Sequence, residues 1–593
     1  MSAPSQAEID QLLSLFSAGR YADLELAANS LLAHRPNAGF VWKALGVAQK
    51  LQGKDSLHAA KEAARLLPDD AEALLNLGAA QRERGMLDEA IASYQLALLK
   101  NPRLADAHSN LANVLADLGR LDEAVSHCRQ AIALAPKHAG AWANLGYLLQ
   151  RIGLAWESVD ASRQAIALAP TNSDAHNNLA NALRDVGHLA QAESHYRQAL
   201  QLQPANARAW VSLAALLTDL GRPSEAVACC RTALEHAPHM AEAHNNLADA
   251  CKELQQFDAA LAAYAQALAL KPDHAQTHYN LGLLLLTLGR YEEAWPHHEW
   301  RTDPQRGTSA VPQPPMKSRL WHGEALDDCH IVLCHEQGYG DTIQFIRYAT
   351  LLKQLGAARV SMVCPAPLAP LMASAAAVDE VFVACEAVPT HDYHILTMSL
   401  PHRFGTRPDS IPAPIPYLSA PAARLEKWRA NIPGHGFKLG LAWKGSTRHK
   451  NDGNRSLPHL RALVPLWRVT EVCFVSLQKG QGEDEALAPP TGQPLVAFAG
   501  KIEDFGDMAA LVEHMDLVVT VDTAVAHLAG ALGKPCWILL PARGTDWRWL
   551  RERDDTPWYP ATTRLYRQQH TQDWAATIER MAADLRELVL DRR

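Results

Sequence analysis

Proline recurs at positions 68, 102, 136, 170, 204, 238 and 272, a step of 34 residues each time. Leucine keeps the same step at 77, 111, 145, 179, 213, 247 and 281, and a glycine or alanine follows each one. Each unit reads as two amphipathic helices joined by a turn such as DLGR or TLGR. Each is stopped by proline, which cannot continue a helix. One such unit cannot bury its apolar face alone. Stacked neighbours bury a continuous core and leave a concave groove, so the period demands a superhelical array over the first half of the chain.

The period and its Leu-Gly/Ala signature resemble the tetratricopeptide repeat (TPR) family over seven units. Residues before 71 fit as one or two degenerate units: Trp42, Leu45, Gly46 and Pro68 keep the pattern, and 19–36 keeps it loosely. This assigns 1–300 to an arm of eight to nine units. TPR grooves hold peptide or protein; a spacer or a homodimer contact is the plainer alternative. The residue before the repeat leucine is Asn76, Asn110, Asn144, Asn178, Asn246 and Asn280, with Ser212 interrupting the column. Asparagine is unfavourable inside a helix because its amide competes with the backbone, so six at one position need a reason. One reading is a hydrogen bond between repeats. The other is an acceptor-binding ladder that faces the groove and pairs with a peptide backbone whatever its side chains. The column resembles the ladder in the TPR arm of eukaryotic protein O-GlcNAc transferases.

The chain is long enough for three or four domains. It carries 64 acidic against 56 basic residues, a net charge of -8, without a basic block, which argues against nucleic acid as a partner. No window approaches a membrane span, and the start, MSAPSQAEIDQLLSLF, lacks the basic-then-apolar pattern of a signal peptide. Ten scattered cysteines without a CxxC pair read as buried free thiols in a reducing compartment, so a cytoplasmic protein is expected.

Helical periodicity ends near residue 296, and a polar, proline-rich stretch at 301–319 reads as a linker. HHEW at 297–300 reads as the packed end of the last repeat, not a metal site. Beyond it, apolar runs alternate with helical stretches: HIVLCH, VSMVC, EVFVAC and DYHILTMS, then FKLGLAWKG, EVCFVSLQKG, PLVAFAG, DLVVTV and PCWILLP. Strands separated by helices imply parallel sheets. The proline-rich 407–418 splits them into an acceptor-side lobe at 320–420 and a nucleotide-side lobe at 421–593. The expected fold class is therefore α plus α/β, a repeat superhelix followed by two Rossmann-like lobes that bind ligand at the carboxyl ends of their strands.

The block VDTAVAHLAGALGKP resembles the D-T-x-x-x-H-L-A-x-A motif of heptosyltransferase-like glycosyltransferases of GT-B fold, and GYGD resembles their G-x-G-D segment. EQGYGDTIQFIRY, SLQKG and DWRWL…PWYP…RLYRQ bring the chain nearer to TPR-fused bacterial members, such as flagellin glycosyltransferases. The resemblance implies a metal-independent enzyme without a cofactor. It would move a sugar from a CMP-, UDP- or GDP-linked donor to Ser/Thr of a protein held by the arm. Flagellin is the leading acceptor and a nonulosonate such as pseudaminic acid one donor. An inactive TPR scaffold and an envelope polysaccharide transferase are the alternatives.

Within this frame Asp341 is the candidate general base, with helix capping its other reading, and Glu336 is second. The donor set is Gly338 and Gly340 in the first loop; Lys444, Gly445, Ser446 and Arg455 after the first strand of the second lobe; Gln478 and Lys479 after the next; and Asp522, Thr523 and His527 where LVVTV turns into a helix. Free N–H groups at a helix start favour a phosphate. Asp522 is equally readable as an N-cap, His527 as a structural histidine, and the polar loop carrying Lys450 and Arg455 as plain solvated chain. No Walker motif is present.

Overall fold

The structure, a computed structural model, describes residues 4–412, 414–449, 451–571 and 573–592. It divides into two compact units, Met1–Gln266 and Ala267–Arg593.

The first unit is built of antiparallel helix pairs, such as Ala105–Asp117 with Leu121–Leu134 and Ala139–Arg151 with Ala155–Leu168. Glycine occupies the turn within most pairs because the backbone there is left-handed, with φ of 77° at Gly119 and 83° at Gly153, and Gln255 takes the same conformation, at 61°, in one pair. The small residue after each repeat leucine admits the second helix: a Cβ on Gly78 would lie 2.6 Å from the Tyr94 ring. Inter-repeat prolines have their carbonyls satisfied by a ring N–H six residues on. Trp142 Nε1 donates to Pro136 O at 2.9 Å and Trp210 Nε1 to Pro204 O at 2.8 Å, and His176 Nε2 takes the same place at Pro170 O at 3.1 Å. This ring column was not read from the sequence.

The asparagine column belongs at least partly to stacking. Asn178 Nδ2 donates to Ala143 O and Asn246 Nδ2 to Val211 O, both at 3.1 Å, while Asn144 Nδ2 donates to Ser109 Oγ at 3.1 Å. Each bond reaches back 35 residues to the first helix of the preceding repeat. The column is half-buried. In these three residues an amide N–H is engaged between repeats, which is the stacking reading of the column. Replacing Asn144, Asn178 and Asn246 together with alanine is expected to cost about 1 kcal/mol per site, read by thermal unfolding of the full chain. An unchanged melt would return the column to the groove.

The second unit holds two five-stranded parallel sheets. β1 (Arg319–Leu320), β2 (His330–Cys334), β3 (Arg359–Val363), β4 (Glu380–Phe382) and β5 (Tyr393–Leu396) lie in the order β1-β5-β2-β3-β4. β6 (Phe437–Ala442), β7 (Val472–Ser476), β8 (Leu517–Val521), β9 (Cys536–Leu540) and β10 (Thr563–Arg567) lie in the order β10-β9-β8-β6-β7. β8 and β9 are buried throughout, which is why they read as continuous apolar runs. Among the described residues no helix is long and apolar enough to cross a membrane.

Three local readings change. PLVAFAG forms no named strand and touches its sheet through a single bridge, Val475 to Val496. The helical stretch after HIVLCH is not one helix but three pieces, Tyr339–Phe345, a 3-10 turn Ile346–Tyr348, and Ala349–Gln354. The proline-rich 301–319 is anchored at several points. Arg301 is fully buried, Val311 N–H donates to Arg301 O at 2.8 Å, and Val311 and Met316 pack on the β2–β3 core.

The last repeat, Ala275–Thr287 and Tyr291–His298, belongs to this second unit. Trp295 is buried and its Nε1 donates to Thr406 O at 2.7 Å, while Trp558 Nε1 donates to the Tyr291 hydroxyl at 3.1 Å. In HHEW, His297 Nδ1 meets His278 Nδ1 at 2.7 Å and His298 is buried. A transferase fragment that starts at residue 318 strips away Tyr291, Trp295 and Arg301. It is expected to lose cooperative unfolding in a thermal melt, whereas a fragment that keeps the last repeat retains it.

Candidate functional site

Both lobes contribute a loop-to-helix junction after a buried strand. In the first lobe β2 ends at Cys334, and the chain turns through Gly338 into the helix Tyr339–Phe345. Asp341 closes that turn: Gly338 N–H donates to its Oδ2 at 2.8 Å. The capping reading of Asp341 therefore holds, and the N–H of Gly338 is occupied by it. Oδ1 is held by an ion pair with Arg548 Nη2 from the second lobe. Burial pushes the Asp341 carboxyl above its usual value, and Arg548 pulls it back.

Gly340 lies where the two lobes touch. A Cβ there would sit 2.7 Å from His527 Cδ2 and 3.4 Å from Ala524 Cα, so only glycine lets the Tyr339–Phe345 helix approach the Ala524–Ala531 helix of the second lobe. Its observed role is this close approach.

Glu336 is a correction. Its Oε2 accepts from Arg301 Nε at 2.8 Å, and its Oε1 from Arg301 Nη2 at 3.0 Å and Met398 N–H at 2.7 Å, with the residue 4% exposed. With three donors on its two oxygens and almost no exposure, this carboxylate ties Arg301 and Met398 to the loop after β2 and offers no open face to an acceptor hydroxyl.

In the second lobe the N-cap of the Ala524–Ala531 helix is Thr523, whose Oγ1 accepts from Val525 N–H at 3.3 Å. Asp522 is thus not the cap. It is half-buried, and burial together with the negative charge of Asp546 pushes its carboxyl up to about 7, against the pull of Arg455 and Arg548. His527 stacks on Trp549 with centroids 5.3 Å apart, and its Nδ1 meets the Tyr559 hydroxyl at 2.9 Å. Burial takes it down to about 3, so it is neutral.

The loop after β6 is internally tied. Lys444 Nζ pairs with Glu485 at 2.6 Å, and Gly445 N–H donates to Ser456 Oγ at 2.8 Å. Ser446 is exposed, and its Oγ accepts from Arg448 N–H at 3.3 Å. A Cβ on Gly445 would lie 2.6 Å from Arg455 Nη2. Arg455 Nε reaches Asp452 at 3.4 Å, and its charge acts on Asp522. Lys450 lies outside the described residues.

Gln478 is a second correction. Its Oε1 accepts from the N–H groups of Trp443 and Lys444, and its Nε2 donates to Lys444 O and Gln481 O. Every hydrogen-bonding atom is spent on joining two loops, none on a nucleotide. Lys479 is exposed, with Nζ 3.2 Å from Glu483.

Sequence reasoning missed Asp546 and Arg548. Arg548 is 4% exposed and lies against the Trp547 ring at 4.5 Å. Its Nη1 meets both oxygens of Asp546 at 3.0 Å, and its Nε donates to Gln344. The signal was a charged pair interleaved with indoles in DWRW, the pattern of a charge that packing keeps from water. The assembled cluster is Asp341, Asp522 and Asp546 around Arg548 and Arg455. A carboxylate from one lobe lies beside the Thr523-capped helix start of the other.

Tetratricopeptide helices joined to two parallel α/β sheets define a repeat-fused, GT-B-like architecture. Tetratricopeptide repeat models match residues 80–119 and 248–289, 105–138, 162–194 and 183–249. The model for glycosyltransferase family 9 (heptosyltransferase) matches 467–539, from before β7 through β9. The repeat models thus match within the first 289 residues, and the glycosyltransferase family 9 model matches part of the second lobe. It is 28% identical to Protein FlbA of Caulobacter vibrioides over 335 residues, 51% of this chain. The chain spans about half, 54%, of the length of that curated relative. Solved structures similar in part are the APC/C assembly Cut9–Hcn1, with a TM-score of 0.40 and 18% identity over 47% of this chain and 55% of that one, and YrrB, described as a TPR protein with an unusual peptide-binding site. YrrB aligns with a TM-score of 0.25 and 22% identity, over 32% of this chain and 98% of its own. Both scores are too low to carry an argument about function.

Proposed function

We propose that the protein is a glycosyltransferase that moves a sugar from a nucleotide-sugar donor to Ser/Thr of a protein held by the repeat arm. The observation that carries this reading is Asp341, a carboxylate at the carboxyl end of β2 set beside the N-terminus of the Ala524–Ala531 helix in the opposite lobe. That helix start and Arg455 suit the donor's phosphate, because backbone N–H groups and a guanidinium both favour developing negative charge. Asp341 takes the proton from the attacking hydroxyl as the new glycosidic bond forms and the bond to the leaving phosphate breaks. No cofactor or metal enters this scheme. Ser446 and Lys479 stay exposed at the strand ends of the second lobe and remain candidates for donor contact.

A soluble, non-membrane acceptor fits the repeats, with flagellin as the leading candidate and a nonulosonate on CMP or a hexose-type sugar on UDP or GDP as the donor. The cytoplasm, where such donors are made, is the proposed compartment. The test is full-length protein incubated with CMP-, UDP- and GDP-linked sugars and flagellin. Intact mass should rise by one or more sugar residues with one donor class. No mass gain and no nucleotide release with any of them would favour the scaffold reading.

A further inference from the structure

We propose that Arg548 is the positioning residue for Asp341, fixing the base through an ion pair that the two lobes complete together. The inference rests on the transfer reading above. Arg548 sits in the 3-10 turn Trp547–Trp549 of the second lobe, with its guanidinium 4.5 Å from the Trp547 ring centroid and 5.4 Å from that of Phe345 in the first. All three of its nitrogens are used: Nη1 on Asp546, Nε on Gln344 Oε1 and Nη2 on Asp341 Oδ1. Gln344 and Asp341 lie on one helix, Tyr339–Phe345. Two bonds to that helix from one planar fork fix both its rotation and its distance from the second lobe.

The pairing reaches the chemistry through the carboxylate plane. Gly338 N–H holds Oδ2 and Arg548 holds Oδ1, so Asp341 cannot rotate, and each oxygen keeps a lone pair for an incoming hydroxyl. A fastening role alone would need only Gln344 and Asp546. The bond to Asp341 adds a positive charge beside a half-buried acid, opposing the desolvation that raises it. Other charged or titratable groups face the same carboxylate. Asp546 lies on the Arg548 side, Glu336 and His335 on its own loop, His449 on the loop after β6 and Tyr279 on the last repeat. His527 packs on Gly340 next door. Arg548 is the one cation hydrogen-bonded to Asp341 among the described residues.

The test is a pH series of thermal unfolding on the full chain, with R548M, R548K, D341N and R548M/D341N, together with nucleotide release from the donors above. In R548M the Asp341 carboxyl loses its counter-charge, so its folded form prefers the proton more than its unfolded form does. Stability contributed by the protonated acid is then lost as pH rises. R548M should therefore melt progressively lower than wild type toward pH 9, and adding D341N should flatten that slope. R548K, which keeps a charge but lacks the planar fork that spans Asp546, Gln344 and Asp341, should recover the slope only in part. Nucleotide release by R548M should fall about 10-fold or more at pH 6 and recover as pH rises, because the acid limb moves upward.

A purely structural arginine predicts a slope that D341N leaves unchanged, because Asp546 and Asp522 lose the same counter-charge in R548M, and additive effects of the two substitutions. That result overturns the proposal even if R548M is poorly folded, since R548K and the double variant report the same slope. Wild-type protein that releases no nucleotide from any donor removes the transfer reading and the positioning role with it. The pH series still reports the pairing separately, so the two failures are distinguishable.

Discussion

Asp341→Asn is expected to abolish sugar transfer while leaving the nucleotide affinity of the second lobe within a few-fold of wild type. Removing a general base costs about 100- to 10,000-fold in rate. The same substitution keeps an oxygen for the N–H of Gly338, so the helix start survives, and Arg548 retains Asp546. Breaking a buried ion pair costs roughly 3–5 kcal/mol when the remaining charge is left alone, and less here because the guanidinium keeps other partners. Activity and stability therefore separate. A large rate loss with a modest melting change identifies the base, and the reverse pattern identifies a cap. Near-normal transfer by Asp341→Asn would move the base to Asp546, the other carboxylate paired with Arg548, which holds it below the usual range, since Glu336 is sealed against Arg301.

Asp522→Asn is expected to stabilise the protein above neutral pH. Burial and Asp546 raise the folded carboxyl to about 7, well above its unfolded value. The folded form then binds more protons than the unfolded chain between the two values, and stability falls as pH rises through that interval. Asparagine removes the titration. At pH 8 the gain should be on the order of 1–2 kcal/mol, discounted for the partial exposure of the site, and at pH 4 it should vanish. Thermal melts at the two values decide it: an equal gain at both would mean that charge has no part in the effect. If the proposed donor phosphate sits at this helix start, the variant also binds nucleotide more tightly at pH 8, where wild-type Asp522 carries a competing negative charge. Tighter binding at pH 4 as well would place the phosphate elsewhere.

The residues show unequally what a chain can reveal before it folds. The repeat array was fully legible, because each unit's contacts are with its neighbours, and a 34-residue step of proline, leucine and small residues encodes them locally. The parallel sheets were legible for a related reason: β8 and β9 are buried on both faces and must be apolar throughout. PLVAFAG has the same composition yet gains only one bridge, since edge pairing depends on what lies alongside. The asparagine column was visible, but its direction was not. The amide that reaches Ala143 O from Asn178 does so across a packing distance set by the stacked helices.

The site divides the same way. Sequence alone marked Asp341, Gly340, Arg455 and the Asp522–Thr523 junction, because strand-to-helix turns are local features. Which of Asp522 and Thr523 caps the helix, and which carboxylates are consumed by partners, depends on residues far apart in the chain. Glu336 meets Arg301 across 35 positions, and Asp341 meets Arg548 across 207. A charge's role follows from what neutralises it and from how far water is kept away, and only the tertiary structure brings those groups together.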